Sequence, residues 1–153
     1  MYLRKATKED VWMLFEWAND EEVRKQAFNS DPIEISEHHN WFKRALASAS
    51  IEIYIALLNE IPVGQIRFTL SNDNSAEVDI HTAPSKRGLG YGVSILKLGI
   101  EKIYKDTHVE IIKSMVKVDN NRSLNTFLKL GFNNKGIKAH NGINCFYLTY
   151  EKI

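Results

Sequence analysis

The order of hydrophobic periodicities predicts an α+β fold: a central, mostly antiparallel mixed sheet flanked by helices. Three observations carry it. Strand-like runs Ile51–Ile55 and Val63–Leu70 face each other across the turn residues Asn59-Glu60, and the Ser71-Asn72-Asp73-Asn74 turn leads on to a third run ending at His81, which makes an antiparallel meander. Apolar stripes at helical spacing stand before the meander and after it. Two closing runs, Phe132 to Lys138 and Cys145 to Glu151, surround Asn141-Gly142 as a final hairpin. With 153 residues, 44% of them hydrophobic and 25% charged, the chain can bury one sizeable core. No linker, low-complexity tract or repeat interrupts it, so residues 1–153 read as a single domain.

Taken in order, Tyr2 to Ala6 is a short first strand. Thr7 then offers a capping hydroxyl with Asp10 three residues on, and Val11, Leu14, Phe15 and Ala18 form the stripe of a first helix. Asp20 caps a short second helix through Glu21–Lys25, and Ser36 caps a third whose stripe is His39, Phe42, Ala45 and Leu46. The meander follows, its last strand being Ala76-Glu77-Val78-Asp79-Ile80-His81. Val93, Leu96, Ile100 and Ile103 then share one face of a helix reaching Tyr104, Val109 to Val118 is another strand, and Asn120 opens another helix before the closing hairpin.

Arg87-Gly88-Leu89-Gly90-Tyr91-Gly92 lies where the fourth strand gives way to a helix. Glycines on alternate positions remove every Cβ that would keep a ligand off the backbone, and the helix start leaves N–H groups free. The helix dipole adds positive potential there, and Lys86 and Arg87 add formal charge, so a phosphate or pyrophosphate is the expected guest. A P-loop is excluded, because no Lys-Ser or Lys-Thr follows the glycines. A dinucleotide fingerprint fits poorly: the third glycine comes one residue early, and Asp119 lies about 30 residues on where about 20 is usual. A glycine turn without a ligand would leave the basic pair and the helix start as coincidence. What remains is R-x-x-G-x-G, written by Arg87, Gly90 and Gly92.

That pattern resembles the pyrophosphate-binding loop of the GNAT superfamily of N-acetyltransferases. A second segment, Asn120-Asn121-Arg122-Ser123 running through Phe127 to Lys129-Leu130-Gly131-Phe132, is similar to the later motif of the same superfamily, N-x-x-S/A and a short helix ending in K-x-G-F. The order of elements around both agrees over nearly the whole chain. The resemblance implies acetyl-coenzyme A as co-substrate, a V-shaped splay between the fourth and fifth strands, and a pantetheine arm bound in that gap. On this basis Ile80, His81 and Thr82 supply backbone contacts, Arg87 to Gly92 hold the diphosphate, and Asn120, Ser123 and Phe127 complete the cofactor wall. Parted strand edges carry unpaired N–H and C=O groups suited to an extended ligand, and one such N–H can polarise a thioester carbonyl.

An amine must lose its proton before it attacks. Glu77, Asp79 and His81 alternate along the fourth strand and so share one face, where each is either a general base or part of a solvated polar surface. Glu77 is the first choice, because a Glu here resembles the base of many GNAT enzymes. Many relatives donate a proton to the leaving thiolate from a Tyr where this chain has Phe127, which cannot donate. Either the thiolate leaves unprotonated or Tyr147 or Cys145, on the last strand, supplies the proton; Tyr147 can equally be a packed aromatic. No metal is expected, since five His and one Cys show no ligand spacing.

Trp17-Ala18-Asn19-Asp20 with Val23-Arg24, then His38 and Trp41-Phe42, resembles the W-x-N-D-x-x-V-R and H-x-x-W segments of a GNAT branch that acts on nucleotide-activated amino sugars; ribosomal-protein N-terminal acetyltransferases share parts of it. An aromatic face, an Arg fork and an imidazole suit a flat base bearing phosphate. Phe42 reads as a core aromatic, and Trp17, Arg24, His38, Trp41 and Arg67 as acceptor contacts. The expected substrate is a 4-amino-4,6-dideoxy sugar on UDP or a related nucleotide, serving surface glycan synthesis. Peptide N-termini, or acyl-coenzyme A sensing without catalysis, are the alternatives. A formal charge of +1 offers no general field for nucleic acid or membrane. The single Cys145, the charged start Met1-Tyr2-Leu3-Arg4-Lys5 and the lack of a membrane-length apolar run point to a soluble cytoplasmic protein, monomer or homodimer.

Overall fold

The computed structural model describes residues 1–152. The elements are β1 (Tyr2–Lys5), α1 (Val11–Ala18), α2 (Glu21–Gln26), α3 (Ile35–Ala47), β2 (Ile51–Leu58), β3 (Ile61–Leu70), β4 (Ser75–Thr82), α4 (Tyr91–Asp106), β5 (Ile111–Lys117), α5 (Asn121–Lys129), β6 (Asn133–His140) and β7 (Ile143–Glu151). The strands form one sheet in the order β1-β2-β3-β4-β5-β7-β6. Every neighbouring pair is antiparallel except β4 and β5, which run parallel. The α+β class and the strand-and-helix order expected from the sequence are those of the structure.

Alternation along the strands divides the core into two layers. Ile53 and Ile55 of β2 meet Leu14 of α1 and Phe42 and Ala45 of α3 on one face. Tyr54 and Ala56 of β2, with Ile66, Phe68 and Val78, meet Ile95, Leu96, Ile100 and Ile103 of α4 on the other. Gly64 permits the closest approach: a Cβ there would lie 2.6 Å from both the His81 carbonyl oxygen and Ile95 Cδ1. The α4 helix therefore sits directly under the β3–β4 ladder, at the level where the site opens.

Several strand ends shift by one to three residues, and two helix starts differ from the sequence reading. The α3 helix begins at Ile35 with Glu34, not Ser36, as its N-cap residue, and the Glu34 carbonyl accepts from the His38 N–H at 3.0 Å. Its buried stripe is His38, Phe42 and Ala45, while Leu46 is 38% exposed. The reason is rotational: i, i+4 and i+7 from His38 face β2, and the His39–Leu46 row lies about a hundred degrees round the helix. The α4 helix begins at Tyr91, two residues before Val93, because Gly90 takes the left-handed conformation (φ 80°) and serves as its N-cap.

The β4–β5 join positions the site. It consists of Ser75 with Ile111, Ala76 with Ile112, and Glu77 with Lys113. From Val78 and Ser114 onward the two strands have no mutual pairing, although β4 stays paired to β3 as far as Thr82 and β5 to β7 as far as Lys117. This is the splay that the family resemblance implied.

Candidate active site

A cleft of about 1250 Å³ runs from the α1–α3 face, through the splay, to the start of α4. It is lined by Trp17, Arg24, His38, Trp41, Arg67, Glu77, Asp79, Ile80, His81, Thr82, Arg87, Gly88, Gly90, Tyr91, Gly92, Asn120, Ser123 and Phe127, so one surface gathers most of the residues singled out in the sequence. Leu89, Tyr147 and Cys145 lie outside it.

At the glycine loop, Gly88 and Gly90 both have positive φ (78° and 80°), and a Cβ at either would meet no protein atom within 4 Å. Glycine is required for the backbone conformation, and the space it leaves opens on the cleft. No side chain caps α4, so the first N–H groups of this 16-residue helix face the cleft at Tyr91, Gly92 and Val93 without intrahelical partners. Free N–H groups, the helix dipole and the Lys86 and Arg87 side chains suit a diphosphate. Arg87 also donates to the Asp20 carboxylate, which Arg87 holds below its ordinary pKa.

Asn120 caps α5, its side-chain oxygen accepting from the Ser123 N–H at 3.2 Å. Phe127 is buried, edge-on to Phe132 with ring centres 4.9 Å apart, and gives the cleft an apolar wall. The general acid suggested for the last strand is not brought to the cleft. Tyr147 sits beneath the Lys138 ammonium, 4.0 Å from its ring centre, and the buried Cys145 thiol donates to the Lys138 carbonyl at 3.2 Å. Burial pushes the Cys145 pKa up. Both side chains belong to the β6–β7 hairpin; the residues with hydroxyls that do line the cleft are Thr82, Tyr91, Ser114, Ser123 and Thr126, of which Ser114 and Thr126 escaped the sequence reading.

Glu77, Asp79 and His81 do share a face, opposite Thr69, Arg67 and Gln65 of β3. Their situations differ. Asp79 accepts from Arg67 at 3.0 Å and lies 3.6 Å from His81 Nε2. Burial would lift the Asp79 pKa, but the charges of His81 and Arg67 outweigh it and hold the carboxyl below its ordinary value. The Gln65 amide nitrogen lies 3.2 Å from His81 Nδ1. With the amide donating there, a neutral His81 carries its proton on Nε2, toward Asp79, and has no free lone pair to offer an amine. Glu77 lines the cleft beside the last β4–β5 pair, with no hydrogen bond or ion pair among the described residues. Gln65 escaped the sequence reading; its only signal was a polar residue sharing a strand face with Arg67.

The W-x-N-D-x-x-V-R segment is mostly committed to holding its own fold. The Asn19 side chain donates to the Ile33 carbonyl and accepts from the Ile33 N–H, both at 2.7 Å. Arg24 Nε donates to the Ala18 carbonyl at 2.8 Å, and Nη1 donates to the carbonyls of Asn29 and Asp31 at 3.2 Å. Burial lowers the Arg24 pKa. His38 is buried, stacked on Phe42 and 3.2 Å from the Val11 carbonyl; burial lowers its pKa too. Trp41 lies under the Arg67 guanidinium, 5.0 Å from its ring centre. Among the described residues no group of three or more His, Cys, Asp or Glu is placed to hold a metal ion, and no helix is long and apolar enough to cross a membrane.

A profile of the acetyltransferase (GNAT) domain matches residues 1–133. Aminoglycoside N(6')-acetyltransferase type 1 from Klebsiella pneumoniae is 24% identical over 149 residues, covering 88% of this chain and 74% of that protein. Among solved structures, the aminoglycoside acetyltransferase AAC(6')-Ib in complex with coenzyme A and kanamycin superposes with a TM-score of 0.86 at 22% identity, covering 99% of this chain and 94% of the other. The spermidine N-acetyltransferase of Vibrio cholerae in complex with CoA and spermine gives a TM-score of 0.87 at 17% identity, with 97% and 94% covered. A ribosomal-protein-alanine N-acetyltransferase from Brucella melitensis gives 0.82 at 17%, with 99% and 100% covered.

Proposed function

Because the chain belongs to the GNAT acetyltransferase family, we propose that its cleft catalyses transfer of acetyl from acetyl-coenzyme A to a primary amine of a small molecule. The observation that carries this is the placing of an unpaired carboxylate, Glu77, at the point where β4 and β5 part, on the path between the glycine loop and the aromatic acceptor side. The α4 N-terminus and Arg87 hold the diphosphate. The unpaired backbone edge of β4 holds the pantetheine arm and polarises the thioester carbonyl. Glu77 takes the ammonium proton, directly or through a water, and hands it to solvent; the amine nitrogen then bonds to the carbonyl carbon, and as the carbon–sulfur bond breaks the nitrogen's second proton also passes to Glu77, leaving a neutral amide. With Phe127 at the wall and Tyr147 and Cys145 outside the cleft, the sulfur leaves as thiolate and is protonated from solvent.

On the acceptor side Glu22, Glu37 and Glu77 line the cleft without ion partners among the described residues and outnumber Arg24, which binds only backbone carbonyls, while Arg67 is paired with Asp79. The uncompensated charge is therefore acidic and favours a polycationic amine, in keeping with the aminoglycoside and spermidine acetyltransferases that this chain is similar to. The Trp41–Arg67 pair supports a second reading, a nucleotide-linked 4-amino-4,6-dideoxy sugar, with the base on the indole and phosphate on the guanidinium. A cytoplasmic setting suits either, since both need acetyl-coenzyme A.

Thiol release measured with kanamycin, spermine, a UDP-linked 4-amino-4,6-dideoxy sugar and an alanine-terminated peptide tests these readings. Kanamycin or spermine is expected to exceed the other two in kcat/KM by about 10-fold or more. Preference for the UDP sugar would overturn the polycation reading, and preference for the peptide both. No turnover of any amine by a protein that still binds CoA would leave a sensor rather than an enzyme.

A further inference from the structure

The short α2 helix is tied at both ends to the two arms of the splay. At its start, the Asp20 carboxylate accepts from the N–H groups of Glu22 (3.1 Å) and Val23 (3.3 Å) and also from Arg87, which follows β4. At its end, the Lys25 carbonyl accepts from Lys117 Nζ (3.0 Å), the last residue of β5. Glu22, Val23, Arg24 and Gln26 line the cleft between these ties, and Gln26 Oε1 is buried without a hydrogen-bond partner among the described residues. Arg87 gives Asp20 one terminal nitrogen; its other N–H groups make no hydrogen bond among the described residues, and Arg87 lines the cleft together with Gly88 and Gly90. A guanidinium can bridge two anions.

We propose that Asp20 is a positioning residue that aims Arg87 at the cofactor diphosphate, so that an occupied glycine loop tightens α2 against the acceptor side of the cleft. This rests on the acetyl-coenzyme A reading above. The loop and α2 otherwise belong to separate segments, since Asp20 and Arg87 are 67 residues apart in the chain. Diphosphate held by Arg87 fixes the Asp20 carboxylate, and with it the cap of α2 and the Val23, Arg24 and Gln26 walls. By reciprocity an acceptor that needs those walls in place strengthens cofactor binding by the same factor.

Hydrogen exchange of the full-length protein, with CoA as the probe, tests this. In the parent, saturating CoA is expected to slow exchange of the Glu22–Ala27 amides by about 10-fold, a coupling of ordinary size. Asp20→Asn keeps an oxygen to cap α2 but loses the charge, so exchange without CoA and the thermal midpoint should stay near the parent's while most of the CoA-induced protection disappears. The double variant Asp20→Asn/Arg87→Gln should lose CoA affinity no further than Arg87→Gln alone, because both changes break one chain of contacts. Lys117→Met, which leaves the glycine loop intact, should halve or further reduce the protection while sparing CoA affinity. Full CoA protection of α2 in Asp20→Asn, or strictly additive losses of affinity in the double variant, would overturn the proposal. CoA binding to the parent without protection of α2 would overturn the strap alone, whereas no CoA binding to the parent would overturn the functional reading and the strap with it.

Discussion

Glu77 and Asp79 show how two carboxylates on one strand face take different roles. Asp79 is engaged by Arg67 and His81, whereas the Glu77 side chain, two residues earlier, lines the cleft with no hydrogen bond or ion pair among the described residues. Glu77→Gln is therefore expected to lower kcat/KM by about 10²-fold or more with CoA affinity unchanged. An unaltered pH–rate profile in that variant would move the base elsewhere. The sequence brought Glu77, Asp79 and His81 to one face, because strand alternation is local. It did not reveal which of them is free, since that depends on Arg67 and Gln65 across a ladder with β3. Arg24 shows the same limit more sharply: its motif position suggested a phosphate ligand, yet Nε and Nη1 bind the carbonyls of Ala18, Asn29 and Asp31, which no side-chain pattern announces.

Among the elements, the start of α1 carries a testable electrostatic load. Asp10, 6% exposed, accepts two 2.8 Å bonds from Arg4 of β1 and one of 2.8 Å from the Thr7 N–H, uniting the first strand with the first helix; the Thr7/Asp10 spacing pointed to the last of these, not to the Arg4 pair. Burial opposes its ionisation, but these donors win and hold its pKa below the ordinary 3.8. A carboxyl whose folded pKa is depressed contributes stability that is complete above the unfolded value and is lost as pH falls through the folded one. The parent should therefore lose stability below about pH 4, in urea titrations, more steeply than Asp10→Asn, whose own deficit should be about 1.5–3 kcal/mol at pH 7. Equal slopes for the two proteins would show that Asp10 is not the titrating group. The helix boundaries were less legible. Glu34 caps α3 through an extended backbone and its carbonyl, not through a capping side chain, so Ser36 drew the eye instead.

At the scale of the whole molecule, the two layers on one sheet imply a single unfolding transition, and a ligand bound only by the folded state raises its midpoint. CoA at about 100 times its Kd should add about 2.7 kcal/mol, which for a chain of this size is roughly 5–10 °C. Gly90→Val should remove that shift, because a branched side chain at φ 80° fits neither the backbone nor the diphosphate space. A full shift in folded Gly90→Val would sink the loop assignment. The glycine loop and the N-x-x-S/A segment, on which the proposed cofactor side rests, were legible in the sequence, because both are local backbone devices. The acceptor side was not, because α1, α2 and α3 build it from contacts between distant residues. The narrow β4–β5 join has a further consequence, for the kinetics of folding. The β2–β3 and β3–β4 hairpins close over short separations, but Ser75 to Glu77 must find Ile111 to Lys113 across the whole of α4, so the seam that joins the two half-sheets is a long-range closure, as is the pairing of β1 with β2. Ala76→Gly, in the seam, should slow refolding in stopped-flow measurements, while Ile137→Ala on the outer strand β6 should leave the refolding rate unchanged and act, if at all, on unfolding. A chain that folds in this order acquires its ligand cleft last, as the two half-sheets meet.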